Sequence, residues 1–295
     1  MFDLRYHVAS LAAVFFALVV GILVGVALAS HGLGSAERRK LQDELSNAHS
    51  QIDRLKGTAQ EFSADSNFVA SAYQAVMADR LRDRRVALLF IGRVDKDVQA
   101  AVRTTLNDAG ASMIRMRAIS VPINAPAVAA VLARRSALAG YAAGPKHFVN
   151  IGRELADEFV AGGNTVLWDA LEAQLVEERI GAGRRPVDAV VIVRTVPPQS
   201  RRATAQLLGG LFTELADLSA PAVGAELRGT FPSAVATYKR YGLSSVDDLD
   251  LRIGRVALAV LLASDGVSGH YGLQKVDDAV LPDIPPVTAV TTTGG

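Results

Sequence analysis

The chain has 295 residues with 31 basic and 30 acidic side chains, and this net charge of +1, without a basic helix or interleaved basic and aromatic residues, gives no sign of a nucleic-acid partner. It contains no cysteine, which excludes disulfides, cysteine nucleophiles and thiolate metal sites. Apolar residues make up 50% of the chain, enough for a sizeable core in one or two domains beside a membrane segment.

The first apolar stretch, residues 8–29, contains 22 residues and no charged side chain. A helix of that length reaches about 33 Å and can cross a hydrocarbon core of about 30 Å. Residues 1–34 are therefore predicted to form a single-pass membrane anchor that ends in a glycine-rich break. A cleaved signal peptide is the alternative, because Arg5 gives a basic start and residues 27–29 fit an A-x-A cleavage site. The length of the apolar run favours an uncleaved anchor.

Small side chains recur at every fourth position of this stretch. This small-residue stripe consists of Ala9, Ala13, Ala17, Gly21, Gly25 and Ala29. Small residues allow two helix backbones to approach closely in lipid, and Gly21 with Gly25 forms a GxxxG pair. The stripe predicts a self-association face, while the simpler interpretation is that alanine and glycine are common in membrane helices.

Residues 35–83 are predicted to form a long coiled-coil helix. Its apolar positions, here called the heptad seam, are Leu41, Leu45, Ala48, Ile52, Leu55, Ala59 and Phe62, with spacings that alternate between four and three. Such a seam is narrower than the apolar face of a helix that lies on a globular domain. We therefore expect a homodimer or a higher homo-oligomer. Val69, Tyr73 and Val76 continue the same phase.

Residues 84–280 are predicted to form one extracytoplasmic α/β domain with a Rossmann-like or flavodoxin-like, mostly parallel sheet. Buried strands are expected at 86–92, 112–117, 186–193 and 222–227, and a further strand at 233–238. Helices are expected at 95–109, 201–218 and 251–263, and the stretch 127–180 reads as a helical insertion. This alternation is typical of a sheet covered on both faces. Residues 281–295 are expected to be a disordered tail.

Motifs for nucleotide binding and nucleophilic catalysis are missing from the sequence. Gly181 and Gly183 have the spacing of a G-x-G turn, but they precede a predicted strand, whereas a phosphate-binding turn follows one. Ser268 and His270 lie in a glycine-rich turn and form no G-x-S-x-G motif. We expect no catalytic or cofactor-binding residue and no enzymatic activity, with an α/β enzyme of unrecognised site as a lesser alternative.

The sequence also shows no metal-ligand spacing. Asp247, Asp248 and Asp250 are interpreted as negative charge at the N-terminus of the last helix, because they lack the spacing of a calcium loop. The five histidines and four methionines are scattered along the chain. No metal site is therefore expected from the residues themselves.

Two stretches resemble a known family, the mycobacterial copper transport protein B (MctB) family. Residues 2–18, which include Arg5 and His7, are similar to its "LRxHxxSLAAVFxAL" opening. Near the other end, the sequences SVDDLD, GR and GHYG resemble its "TVDDID…GR…GHYG" pattern. The matching residues, here called the family motif, are Asp247, Asp248, Asp250, Gly254, Arg255, Gly269, His270, Tyr271 and Gly272.

The resemblance implies a role in copper efflux or homeostasis, with copper as the transported ion and an actinobacterial source. It implies a cell-membrane protein with the bulk of the chain outside the cytoplasm, and it extends to a place in the outer envelope. The similar corynebacterial protein SteB, with its cytoplasmic partner SteA, suggests an alternative: a non-transporting scaffold that regulates cell separation or cell-wall hydrolases. The resemblance supplies no copper-ligand set. A single apolar helix offers no ion path, so transport would need oligomerisation or a partner.

Overall fold

The computed structural model describes residues 4–28, 34–181, 184–263, 266–274 and 277–286. These residues form two compact units, Met1–Asn67 and Phe68–Gly295. Ala29 of the small-residue stripe, Gly183 and residues 287–295 of the expected tail lie outside the described residues.

The first unit is helical. Helix α1 spans Leu4–Leu28, and α2 starts at Gly34 and continues into the second unit, where it ends at Met77. Within α1, the segment Ser10–Leu28 is long and apolar enough to cross a membrane, judged by length and composition. Its large apolar side chains are exposed in the chain itself, as a lipid-facing helix requires.

The second unit alternates strands and helices. Its strands are β1 (Arg85–Ile91), β2 (Ser112–Ile119), β3 (Val176–Ile180), β4 (Ala189–Arg194), β5 (Ala222–Ala225), β6 (Ser244–Val246) and β7 (His270–Tyr271). Its helices are α3 (Lys96–Asp108), α4 (Ala125–Ala133), α5 (His147–Ala161), α6 (Val166–Leu175), α7 (Arg202–Asp217), α8 (Val235–Arg240) and α9 (Arg252–Ala263). A 3₁₀ helix, Ser136–Ala142, follows α4.

The seven strands form one sheet in the order β3-β2-β1-β4-β5-β6-β7, in which β3 alone is antiparallel to its neighbour. If β3 is left out, the parallel strands follow the flavodoxin-like order, extended at one edge. This confirms the predicted mixed α/β fold. It also places the carboxyl ends of β1, β4, β5, β6 and β7 along one edge of the sheet.

Both faces of the sheet are covered. Side chains from α4 to α8 pack on one face, and α3, α9 and the end of α2 pack on the other. Continuous apolar runs such as Val86 to Ile91 are fully buried, as expected for a central parallel strand. The last turns of α2 belong to this core, because Tyr73 and Met77 are buried.

Two predicted elements were wrong. Residues 176–180 were expected to continue a helix, but they form β3, the edge strand that pairs with β2. Residues 233–238 were expected to contain a strand, but 235–240 form α8, whose Tyr238 packs over the backbone of Gly224. In both segments tertiary packing overrides local propensity.

The tail also differs from the expectation over residues 281–286. Pro282 is buried, and the carbonyl oxygen of Pro285 accepts a hydrogen bond of 3.1 Å from Arg80 Nη1. Residues 281–286 therefore pack against the rest of the second unit, to which they belong.

Candidate functional site

The carboxyl edge of the sheet is where an open α/β fold usually binds ligands, at the point where the strand order reverses. Here this point lies between β1 and β4. The N-terminus of α3 beside it is already capped, because Asp95 Oδ1 accepts hydrogen bonds from the amides of Asp97 (2.9 Å) and Val98 (3.1 Å). A carboxylate in that position repels phosphate, so the geometry does not support a nucleotide site.

A cavity of about 180 Å³ lies at this edge, lined in part by Asp95, Arg194, Glu226 and Phe231. Its charged groups already have partners. Arg194 donates to the carbonyl oxygens of Pro232 (3.1 Å) and Ser233 (2.7 Å). Glu226 accepts from Ser233 Oγ and the amide of Ala234. The volume is below the roughly 300–1,000 Å³ of ordinary ligand pockets, and its polar groups fix the loop after β5.

The family motif gathers around the ends of β6 and β7 and the start of α9. Asp247 is only 2% exposed, and its Oδ1 accepts a hydrogen bond of 3.1 Å from the amide of Leu273. A Cβ atom on Gly272 would collide with this carboxylate, and the φ of Gly272 is +152°, a region that L side chains rarely adopt. The glycine thus lets the loop after β7 close over Asp247.

Asp248, the next residue, contacts α9 instead of the loop after β7. A Cβ on Gly254 would collide with its backbone and its Oδ1. The Asp248 side chain is 1% exposed, and neither carboxylate oxygen has a hydrogen-bond partner among the described residues. Burial, followed by the charges of Asp247, Asp250 and Asp277, raises the pKa of Asp248 to about 7. This residue is therefore a buried acid that accepts a proton readily.

Asp277 is a second acid with a raised pKa, which sequence inspection did not single out. Its Oδ2 accepts a hydrogen bond of 2.6 Å from the amide of Gln274. Burial and the neighbouring charge of Asp247 raise the pKa of Asp277 to about 6. The side chain of Gln274 also donates to Glu226 (2.9 Å). The loop after β7 therefore hydrogen-bonds to three carboxylates, those of Glu226, Asp247 and Asp277. No sequence spacing could have indicated this, because the segments are far apart in the chain.

The expectation that all three aspartates serve as helix N-terminal charge is corrected for Asp247 and Asp250. Asp247 binds the β7 loop, and Asp250 Oδ1 accepts a hydrogen bond of 2.8 Å from the amide of Arg228. Arg255 of the family motif donates to the carbonyl oxygen of Leu249 (3.3 Å) and so fixes the turn before α9. These residues therefore hold the loops around α9 in place.

His270 pairs with Ser245, which sequence inspection also missed, and not with Ser268. Its Nδ1 lies 2.9 Å from Ser245 Oγ, and both residues are buried. Asp278 accepts a hydrogen bond of 2.9 Å from the backbone amide of His270 and makes none with the imidazole ring, so the three residues do not form a catalytic triad. Burial lowers the pKa of His270, which keeps the ring neutral.

The remaining family-motif residues shape the β7 turn and α1. Gly269 has a φ of +145°, and a Cβ there would contact the ring of Tyr271. The hydroxyl of Tyr271 donates to the carbonyl oxygen of Ser268 (3.1 Å). Arg5 and His7 lie in the first turns of α1. Most residues of the family motif therefore have a structural role, because they fix the conformation of the loops around α9 and β7.

The potential copper donors are dispersed. In the part of the chain that the structure describes, no three His, Cys, Asp or Glu residues come close enough together to hold a metal ion. Met77 and Met116 are buried in the core, while His49 is exposed on α2 and His147 is half-buried at the start of α5. The buried oxygen donors are hard ligands, which suit Cu(I) poorly. The described residues of one copy therefore do not fit a copper site.

The predicted association surfaces are exposed. Ala13, Ala17, Gly21 and Gly25 of the small-residue stripe face outward, and no atom would lie within 4 Å of a Cβ built on either glycine. The members of the heptad seam are exposed along the first unit. The chain thus brings together the C-terminal part of the family motif in one cluster, in which Asp247, Asp248 and His270 are buried, and it leaves the described parts of both association surfaces uncovered.

Comparison with known proteins gives a family. The model of a family described as "Copper transport outer membrane protein, MctB" matches residues 1–282. The chain is similar to proteins named "Copper transporter MctB" from Mycobacterium bovis and Mycobacterium tuberculosis, each 32% identical over 117 residues. The aligned part is 38% of this chain and spans 36% of the length of these relatives.

Proposed function

Because the chain belongs to the MctB family, we propose that it takes part in copper transport or copper tolerance as a single-pass membrane protein. The observation that carries the proposal is the match over residues 1–282, which includes both α1 and the α/β unit. The apolar segment Ser10–Leu28 supports the membrane anchor. The family description contains the words "outer membrane", which support an extracytoplasmic location of the α/β unit.

The proposed role needs more than one chain. Ser10 is the sole polar side chain in the segment Ser10–Leu28, so a single helix offers no path for an ion. The described residues of one copy also bring no three His, Cys, Asp or Glu side chains close enough together to hold a metal ion. Copper as the transported substrate would therefore pass through an assembly of copies or through a partner protein.

A copper challenge of a strain that lacks the gene tests this proposal. We expect the deletion strain to stop growing at a lower copper concentration than the parent, and the full-length gene to restore growth. Zinc at matched toxicity is the control, because a general envelope defect would sensitise cells to both metals. Unchanged copper tolerance would refute the proposal.

The second candidate is a non-transporting scaffold that regulates cell separation or cell-wall hydrolases together with a cytoplasmic partner. Two observations favour this role: the heptad seam is exposed, and the carboxylates around the β7 loop are hydrogen-bonded within the second unit. Neither role requires a catalytic step. Affinity capture of the full-length protein from membranes, with an anchor-deleted chain as the control, tests the scaffold. A cytoplasmic protein recovered only with the full-length chain supports it, and equal recovery with both chains contradicts it.

A further inference from the structure

The heptad seam of α2 is a row of large apolar side chains that a single copy leaves uncovered. Leu41, Leu45, Ile52, Leu55 and Phe62 are between 46% and 76% exposed. Burying such side chains stabilises a protein, because it removes apolar surface from water. Because they recur along one line of the helix, the same partner surface can cover all of them.

We propose that the α2 helices of two copies of this chain pair through the heptad seam as a parallel, in-register, two-stranded coiled coil. The pairing would hold whether or not the protein moves copper. Its orientation rests in part on the membrane anchor of the proposed function.

The width of the seam indicates a helical partner. Two of every seven residues are apolar between Leu41 and Phe62, which matches the knobs-into-holes seam of a coiled coil. A helix that lies on a membrane surface shows a broader apolar face and an excess of Lys and Arg on its polar face. Here residues 37–61 carry five acidic and five basic side chains, a balance that does not favour a lipid surface.

The flanking positions favour the parallel orientation. With Leu45 and Ile52 at the a positions, Glu44 and Gln51 occupy g, while His49 and Lys56 occupy e. In a parallel pair each g residue faces the e residue five positions later in the other copy, so Glu44 faces His49 and Gln51 faces Lys56. An antiparallel pair would bring His49 of one copy near Lys56 of the other, both basic groups.

The chain length between α1 and α2 gives a second reason for the parallel orientation. Helix α1 ends at Leu28 and α2 begins at Gly34. The residues between them can span about 20 Å at most. Two copies anchored in one membrane with the same topology therefore start their α2 helices close to that membrane, on the same side.

The structure also indicates where the pairing ends. Tyr73 continues the heptad phase, but it is buried in the second unit, and its hydroxyl donates to Asp108 Oδ2 (2.7 Å). Val76 packs against the same core. The last two turns of α2 are thus used within one copy, and the pairing surface ends before Tyr73.

Single cysteines test this geometry cleanly, because the natural chain has none. Ala48→Cys lies at a d position of the seam, and Ser50→Cys, two residues later, lies at an outward f position and is the matched control. A disulfide needs Cα atoms about 4.4–6.8 Å apart, which an in-register parallel pair provides at position 48 but not at position 50. The full-length variants are purified in detergent and oxidised mildly.

We expect most of the Ala48→Cys chain to shift to twice the monomer mass without reductant, and the Ser50→Cys chain to stay monomeric. Absence of the shift for Ala48→Cys, or equal shifts for both variants, would overturn the proposal. A mixture of differently tagged Ala48→Cys and Ala59→Cys chains tests the antiparallel arrangement, because there the d position 48 of one copy faces the a position 59 of the other. A disulfide between the two differently tagged chains would refute the parallel orientation. Because the readout contains no copper, its failure is distinct from that of the copper proposal.

Discussion

Two adjacent carboxylates at the end of β6 point to different neighbours. Asp247 receives a backbone hydrogen bond from the β7 loop, whereas Asp248 lies against Gly254 of α9 with no hydrogen-bond partner among the residues the structure describes. Side chains of successive residues in an extended segment point to opposite faces, which explains the division. The same sequence, three acids before a helix, predicted only negative charge at the N-terminus of that helix, because spacing alone does not reveal burial.

Asp248 makes the stability of the protein depend on pH. Its pKa is about 7 in the folded chain and about 3.9 in an unfolded one, so the folded state binds more protons between these values. The contribution of Asp248 to the free energy of unfolding therefore falls as the pH rises from about 4 to about 7. Asp277, whose folded pKa is about 6, acts in the same direction.

We therefore expect Asp248→Asn to reduce the pH dependence of stability. The wild-type melting temperature should fall as the pH rises from about 4 to about 7, and that of the variant should fall less, because the amide carries no charge to bury. Asp97→Asn, at an exposed position of α3, is the control and should keep the wild-type slope. Parallel melting curves for wild type and Asp248→Asn would show that Asp248 is not the titrating group.

Among the helices and strands, the sequence predicted correctly those whose local hydrophobic pattern matches their burial in the fold. β1 and β4 are continuous apolar runs that became fully buried strands. β3 and α8 were misassigned, because 176–180 is polar and pairs only at the sheet edge, and α8 is a short helix held by Tyr238. β6 and β7 have three and two residues, too few to show a strand pattern.

The small-residue stripe of α1 carries a prediction of its own. Gly21→Leu combined with Gly25→Leu should weaken association of the anchor in a bilayer, because two large side chains prevent close approach of the backbones. Val20→Leu with Val24→Leu, which enlarges neighbouring positions, is the control. The dimer fraction of the full-length protein is measured by energy transfer between labelled copies in vesicles. If the dimer fraction of the glycine variant matches that of the control, the stripe reflects composition alone.

At the scale of the whole molecule, the α/β fold was predictable from the alternation of strands and helices, whereas the candidate site was only partly so. The family motif marked the segments that meet around α9, but Glu226, Ser245, Asp277 and Asp278 join them through contacts that no sequence spacing shows. Apart from Asp248, the carboxylates of the resulting cluster accept hydrogen bonds from neighbouring segments, and carboxylates are hard oxygen donors. Copper recognition would then depend on donors brought together by assembly or by a partner.

The metal content of the full-length protein, purified from membranes of copper-treated cells, tests the copper proposal most directly. We expect copper in stoichiometric amounts with the assembled protein, measured by mass spectrometry of the metal after removal of free ions. An unrelated single-pass membrane protein prepared in the same way is the control. Copper at the level of that control would contradict a direct role in copper transport and favour the scaffold.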